Sequence, residues 1–177
     1  MDRLKLTAPS KAYENQVMNY KAEMLKNKDN FDGCAGLEEV DNYDEWLNFE
    51  ERLSKKYGDA YVPSSVYLVV RLCDDKLIGI IDFRHHLSEF LLNYGGNIGY
   101  SVRPTERQKG YAKEMLKLML CRCKELNEEK VLLTCDKGNI ASSKTIIENG
   151  GILENEVQDA VGLSKSGIIQ RYWITIL

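Results

Sequence analysis

The stretch of residues 99–112 (GYSVRPTERQKGYA) constrains the fold more than any other part of the chain. Alternating apolar residues end at Pro104, a short polar turn follows, and Gly110 opens a segment with apolar residues at helical spacing. The first N–H groups of a helix have no partner within it and lie at the positive end of its dipole. The sequence therefore predicts an anion site at this turn, suited to a phosphate or pyrophosphate.

The residue types in the turn support that prediction. Gly110 lets a ligand approach the backbone, and the small Ala112 limits steric obstruction. Three positive charges lie close by, on Arg107, Lys109 and Lys113. Neither the GxxxxGK(S/T) loop nor the GxGxxG fingerprint is present. The alternatives are a loop for another nucleotide and a plain strand-turn-helix connection with a solvated basic face.

Hydrophobic periodicity along the chain predicts elements in the order α-α-β-β-β-α-β-α-β-β. The helices are expected at residues 11–26, between Asn42 and Gly58, at 110–126 and at 139–149, the last with Ile146 and Ile147 inside. The strands are expected at residues 65–73, 77–84, 97–103, 131–135, 152–157 and 168–176. Helices connect some strands and turns connect others, so an α/β or α+β sheet with helices on its faces is expected.

Composition narrows the class of protein. A length of 177 residues, 44% of them apolar, fits one folded domain over residues 1–177. The net charge of −3 argues against nucleic acid as the main partner. The polar N-terminus and the lack of a long apolar run predict a cytoplasmic protein without a membrane partner. The five cysteines lack disulfide or zinc spacing, so no metal is expected and the thiols are interpreted as small buried groups.

Residues 102–112 resemble the acetyl-CoA signature of the GNAT superfamily of N-acetyltransferases. That signature reads V-x-P-x-x-(Q/R)-x-x-G-x-(G/A), and every named position matches. After the next predicted strand, Asn139 with Ser142 and Ser143 resembles the motif in which an asparagine begins the helix beside the pantetheine arm. The element order also resembles the family fold, a mixed, mostly antiparallel sheet with a central splayed parallel strand pair and helices on both faces.

The resemblance implies an N-acetyltransferase that moves acetyl from acetyl-CoA, its co-substrate, to a primary amine of a small molecule or peptide. A non-catalytic CoA-binding module is the alternative. Since the family often forms dimers, a homodimer is a further expectation. The residues implied to contact CoA are Tyr100, Ser101, Val102, Arg107, Gln108, Lys109, Gly110, Tyr111, Ala112, Lys113, Asn139, Ser142 and Ser143.

This sequence differs from the family pattern at the residue that would give a proton to the leaving thiolate. Family members often use a tyrosine in the helix after the asparagine, and the matching position here is Ile147, which has no proton to donate. Tyr172 on the last predicted strand is the first substitute, with Tyr100 and Cys135 as alternatives. Another alternative is that no acid is needed, because a thiol pKa of about 8.5 makes the thiolate a tolerable leaving group.

Asp82 lies near the end of the second predicted strand, and His86 follows that strand together with His85 and Glu89. We therefore hypothesise that His86 or Asp82 is the general base. A water chain is the alternative. A cationic amine is expected to be attracted by carboxylates on or near the first two helices, namely Glu14, Glu23, Asp41, Asp44, Glu45 and Glu50.

Overall fold

The computed structural model describes residues 3–55 and 62–177. In chain order the elements of this part are β1 Leu4–Thr7, α1 Glu14–Asn27, α2 Tyr43–Ser54, β2 Ser64–Arg71, β3 Leu77–Arg84, β4 Ile98–Val102, α3 Tyr111–Glu125, β5 Lys130–Asp136, α4 Ile140–Glu148, β6 Ile152–Gln158 and β7 Ile168–Thr175. The strands form two sheets, one with the order β1-β2-β3-β4 and one with the order β5-β7-β6, and the paired strands are antiparallel.

The four-stranded sheet is covered by helices on both faces, as the sequence predicted. Ile80 of β3 lies in one buried cluster with Tyr20 of α1 and Trp46 of α2. Its neighbour Ile81 lies in a second cluster with Met115 of α3. Successive side chains of a strand point to opposite faces, so a strand buried on both faces is apolar along most of its length.

β4 and β5 are joined only where they begin. The Asn97 N–H donates to the Leu132 carbonyl at 2.7 Å, and the Asn97 Oδ1 accepts from the Leu132 N–H at 2.8 Å. Farther on, Tyr100 lies within electrostatic range of Cys135, so both strands advance in the same direction. No ladder joins them within residues 3–55 and 62–177. The predicted splayed parallel pair is therefore confirmed.

The structure differs from the sequence-based expectations about the elements at two points. β1 was not predicted, because four residues are too few for a periodic pattern. The expectation that Ile147 faces the interior is wrong: Ile146 is fully buried, whereas Ile147 is 55% exposed. Adjacent helical residues are rotated by about 100°, so Ile146 faces the buried cluster and Ile147 faces solvent. The predicted end of the second helix at Gly58 lies outside the described residues.

No helix in the described part of the chain is both long enough and apolar enough to cross a membrane.

Asn97 is a specific point at which the two sheets can be weakened. Its Nδ2 donates to the Arg84 carbonyl at 3.0 Å, so the Asn97 side chain connects β3 to β5. Asn97→Ala leaves one buried N–H and one half-buried carbonyl without their partners, and we expect it to lower the free energy of unfolding by about 2–4 kcal/mol. Urea denaturation monitored by circular dichroism measures this change.

Asn93→Ala is the matched control, because it removes an amide whose Nδ2 bonds to the Glu89 carbonyl at an exposed position. We expect a loss below about 1 kcal/mol for the control. Equal losses in the two variants would contradict the role given to Asn97.

Candidate active site

The turn between β4 and α3 presents a row of backbone N–H groups. Gln108 and Gly110 have φ angles of 62° and 79°, in the left-handed region that favours glycine. In the described part of the chain, no acceptor is hydrogen-bonded to the N–H groups of residues 108–113. A Cβ on Gly110 would meet only the Arg3 guanidinium, at 3.6 Å. The turn is thus an open cradle for an anion.

The Arg107 side chain is directed back toward the body of the protein. Its Nε donates to the Val102 carbonyl at 3.0 Å, and its Nη2 pairs with Asp29 at 2.8 Å. Arg107 therefore joins the end of β4 to the end of α1. The sequence showed the charge of Arg107 but not these partners, because Asp29 is far away along the chain.

Lys109 and Lys113 are also paired with carboxylates. Lys109 pairs with Glu106 at 2.8 Å, and Lys113 pairs with Glu148 of α4 at 3.2 Å. The cations of the turn are therefore engaged by carboxylates, whereas the backbone N–H groups of residues 108–113 have no partner in the part of the chain that the structure describes.

A buried carboxylate lies beneath the turn. Glu106 is only 4% exposed and contacts Lys76 at 2.5 Å, Lys109 at 2.8 Å and Arg71 at 3.0 Å. Hydrogen bonds from Lys109 and Lys76, together with the nearby Arg71, lower the pKa of Glu106 to about 2. The ionised Glu106 therefore anchors the turn to the β2–β3 hairpin.

Polar groups of β4 and α4 line the gap that opens between β4 and β5. The Tyr100 hydroxyl lies 3.2 Å from the Ser142 Oγ. Asn139 begins α4, with its Oδ1 accepting from the Ser142 N–H at 3.1 Å. Burial raises the pKa of Tyr100 to about 12 and that of Cys135 to about 11, so both groups keep their protons at neutral pH. The structure brings together the predicted residues of β4 and of the asparagine motif.

Tyr172 and Ser143 each have a hydrogen bond within their own element, and the Tyr172 hydroxyl also lies near enough to Ser143 of α4 for the two side chains to interact. The Tyr172 side chain is 3% exposed, and its hydroxyl donates to the Gln170 Oε1 at 2.7 Å. The Ser143 Oγ donates to the Ile140 carbonyl at 3.1 Å.

A cavity of about 1300 Å³ lies between the α1–α2 loop, α2 and the end of β3. Its lining carries the carboxylates Asp32, Glu39, Glu45, Glu51 and Asp82, the cations Arg52 and Arg84, and His86. Glu45 is the one member of the predicted acidic set that lines this cavity. The surplus of negative charge suits a cationic ligand.

Asp82, a predicted base, is buried at the cavity wall with both oxygens occupied. Its Oδ1 accepts from the Gly99 N–H at 2.9 Å, and its Oδ2 pairs with the Arg84 Nε at 3.1 Å. Burial raises the pKa of Asp82, and Arg84 opposes that rise.

The two histidines occupy different surroundings. The His85 Nε2 lies 2.8 Å from the Ser65 Oγ, and burial lowers the pKa of His85. His86 is exposed and lines the cavity.

Sequence reasoning missed Asp32, which lies in the loop between α1 and α2. The Asp32 carbonyl accepts from the Ser101 Oγ of β4 at 2.8 Å. The adjacent Gly33 has a φ of 77° and packs on Gly99, where a Cβ would lie 2.3 Å from the Gly99 carbonyl oxygen. A glycine directly after a carboxylate was the only local signal, and its meaning depends on a contact with a distant strand.

The acetyltransferase (GNAT) domain family matches residues 50–151, more than half of the chain. The sequence, the splayed strands and the open turn agree with this match, and the chain belongs to the GNAT acetyltransferase family. A search of curated protein sequences gave no match.

Solved acetyltransferase structures share the fold. An acetyltransferase from Salmonella typhimurium that modifies the N-terminal serine of a 50S ribosomal subunit protein has a TM-score of 0.69 and 16% identity, covering 100% of this chain and 97% of that chain. A spermidine N-acetyltransferase from Vibrio cholerae has a TM-score of 0.69 and 15% identity, covering 98% and 94%. A microcin self-immunity acetyltransferase in complex with acetyl-CoA and AMP has a TM-score of 0.67 and 18% identity, covering 99% and 94%. At these identities the likeness concerns the fold alone.

The depressed pKa of Glu106 has a consequence for stability. A carboxyl whose pKa is lower in the folded state than its ordinary 4.5 stabilises the fold above that value, and its contribution is lost as the pH falls toward about 2. We expect Glu106→Gln to lower the free energy of unfolding by roughly 2 kcal/mol at neutral pH. The difference from the wild type should shrink when urea denaturation is repeated at acidic pH.

Glu125→Gln is the control, since Glu125 pairs with Arg122 at the surface and its side chain is 63% exposed. Glu125→Gln should lower the free energy of unfolding by less than about 1 kcal/mol. A difference for Glu106→Gln that stayed constant with pH would argue against the stabilising charge.

Proposed function

We propose that the protein transfers the acetyl group of acetyl-CoA to a primary amine. The observation that carries this proposal is the position of β4 between the gap beside α4 and the acidic cavity. Tyr100 of β4 reaches the gap beside α4, and the neighbouring Ser101 contacts the loop that borders the acidic cavity. A donor in the gap and an acceptor in the cavity would therefore meet at one strand.

On the donor side, the open N–H groups of residues 108–112 are proposed to bind the CoA pyrophosphate. Since Arg107, Lys109 and Lys113 have carboxylate partners, the backbone and the helix dipole supply the main attraction for the anion. Asn139 and Ser142 at the start of α4 are proposed to contact the pantetheine arm. Acetyl-CoA supplies the activated acyl group, and the protein orients its carbonyl.

For the proton donor, the geometry favours Tyr100 over Tyr172. Both hydroxyls lie beside α4, Tyr100 next to Ser142 and Tyr172 near Ser143, but the Tyr172 hydroxyl already donates its proton to Gln170 of its own strand. A hydroxyl with a pKa of about 12 stays protonated and can donate a hydrogen bond to a developing thiolate.

On the acceptor side, the acidic lining of the cavity favours an amine that is cationic in solution. An alkylammonium with a pKa of about 10.4 carries its charge at neutral pH. The solved structures of similar fold include enzymes whose described acceptors are a protein N-terminus and spermidine, both of them amines. The proposed acceptor class is therefore a cationic primary amine.

The donor site can be tested at Gly110. Saturating acetyl-CoA should raise the melting temperature of the wild type by about 5–10 °C, whereas ATP and NAD should not. Gly110→Asp should abolish the shift, because it places a negative charge and a side chain in the open cradle.

Gly110→Asn is the matched control, since asparagine has nearly the same size and tolerates the left-handed conformation at a φ of 79° equally well. It should keep part of the shift. Wild-type shifts in both variants would mean that this turn does not bind CoA.

Transfer can be tested with spermidine and with a short peptide that begins with serine. Release of the CoA thiol should be saturable in the amine, and the KM for the amine should rise with ionic strength, because salt screens the field of the cavity. The same peptide with an acetylated N-terminus is the control and should give no release. Binding of acetyl-CoA without release from either amine would favour the non-catalytic CoA-binding module.

A further inference from the structure

Asp32 occupies a fixed position at the point where donor and acceptor would meet. Its carbonyl is bonded to the Ser101 Oγ, which also lies 2.7 Å from the Tyr20 hydroxyl and 3.2 Å from the Cys34 Sγ. These groups are buried, and the close packing of Gly33 on β4 leaves no space for a larger residue. The backbone of Asp32 is consequently held against β4 on the cavity side.

The Asp32 carboxylate is oriented toward the cavity, and its oxygens are available to accept a proton. Asp32 lines the cavity, and in residues 3–55 and 62–177 no donor is hydrogen-bonded to its carboxylate oxygens. The Asp32 side chain is open to solvent at the cavity, and the protein on its other side raises its pKa by desolvation, an effect that Arg84 opposes and Asp82 increases. A carboxylate with a raised pKa is a stronger base than one with the ordinary value.

The two bases predicted from the sequence are less well placed. Asp82 has both carboxylate oxygens occupied, by the Gly99 N–H and by Arg84. His86 lines the same cavity, but no hydrogen bond joins it to β4 in the described residues, whereas the Asp32 carbonyl is bonded to Ser101. Asp32 lines the cavity with its backbone carbonyl bonded to Ser101 of β4, and its carboxylate oxygens accept no hydrogen bond from the described residues.

We propose that Asp32 is the general base that removes a proton from the acceptor ammonium. This proposal rests on the proposed function. The Asp32 carboxylate takes one proton from R–NH3⁺, directly or through one water, and the nitrogen lone pair attacks the thioester carbonyl. A C–N bond forms and the C–S bond breaks. The Tyr100 hydroxyl donates its proton to the departing thiolate and takes up the second proton of the nitrogen, so that the products are the acetamide, CoA thiol and one proton released from Asp32 to solvent.

The pH dependence of turnover will reflect the charged groups around Asp32. From β3 these are Asp82 and Arg84, and from its own loop they include Glu38. The other charged or titratable groups that line the same cavity are Glu39, Glu45, Glu51, Arg52 and His86. A control that removes one nearby charge is therefore needed to separate proton transfer from a change in the field.

The test compares Asp32→Asn, Asp32→Glu and Glu38→Gln in the thiol-release assay with spermidine and the serine peptide. We expect Asp32→Asn to lower kcat by at least about 100-fold, to remove the acid limb of the pH profile, and to leave the thermal shift with acetyl-CoA unchanged. Asp32→Glu should restore part of kcat. Glu38→Gln removes one charge from the same loop and should change kcat by less than about twofold.

The outcomes separate the two proposals. Wild-type kcat in Asp32→Asn, or a raised amine KM with unchanged kcat, would overturn the role of Asp32 and leave the proposed function intact. Loss of the acid limb in His86→Ala but not in Asp32→Asn would assign the base to His86 and also overturn it. A wild-type protein that binds acetyl-CoA but acetylates neither amine would overturn the proposed function, and the role of Asp32 with it.

Discussion

The Asn97 side chain closes one end of the gap between β4 and β5, and the arrangement of the site depends on that gap. A continuous ladder would join the two sheets and fill the space beside Tyr100 with backbone hydrogen bonds. Asn97 instead bonds to Leu132 and Arg84 where the strands begin, and no ladder follows within the described residues. The two sheets are therefore joined where β4 and β5 begin and separated farther along these strands.

The alternation of side chains along β4 assigns the two halves of the proposed reaction to opposite faces of one strand. Tyr100 faces α4 and the asparagine motif, and Ser101 faces the loop that carries Asp32. A shift of one residue in the pairing of β3 with β4 would exchange these faces. The register of that pair, in which Ile81 lies opposite Tyr100, thus positions the donor and acceptor sites together.

The charged side chains around the turn form ion pairs within the protein, and these pairs hold the turn in position. Arg107, Lys109 and Lys113 each have a carboxylate partner, and Glu106 is held by three cations beneath the turn. These pairs position backbone N–H groups that carry no net charge. Such groups bind an anion with little rearrangement, because their direction is set by the fold.

The sequence by itself determined the features that lie within one continuous segment. The strand-turn-helix of residues 99–112, the helix after Asn139 and the helices on both faces depend on neighbouring residues and on hydrophobic periodicity, and they were predicted. The partners of Arg107, the exposure of Ile147, the Asn97 contacts and the position of Asp32 were decided by tertiary structure. Each of these depends on packing between segments far apart in the chain, and a local pattern contains no information about which distant segment will lie beside it.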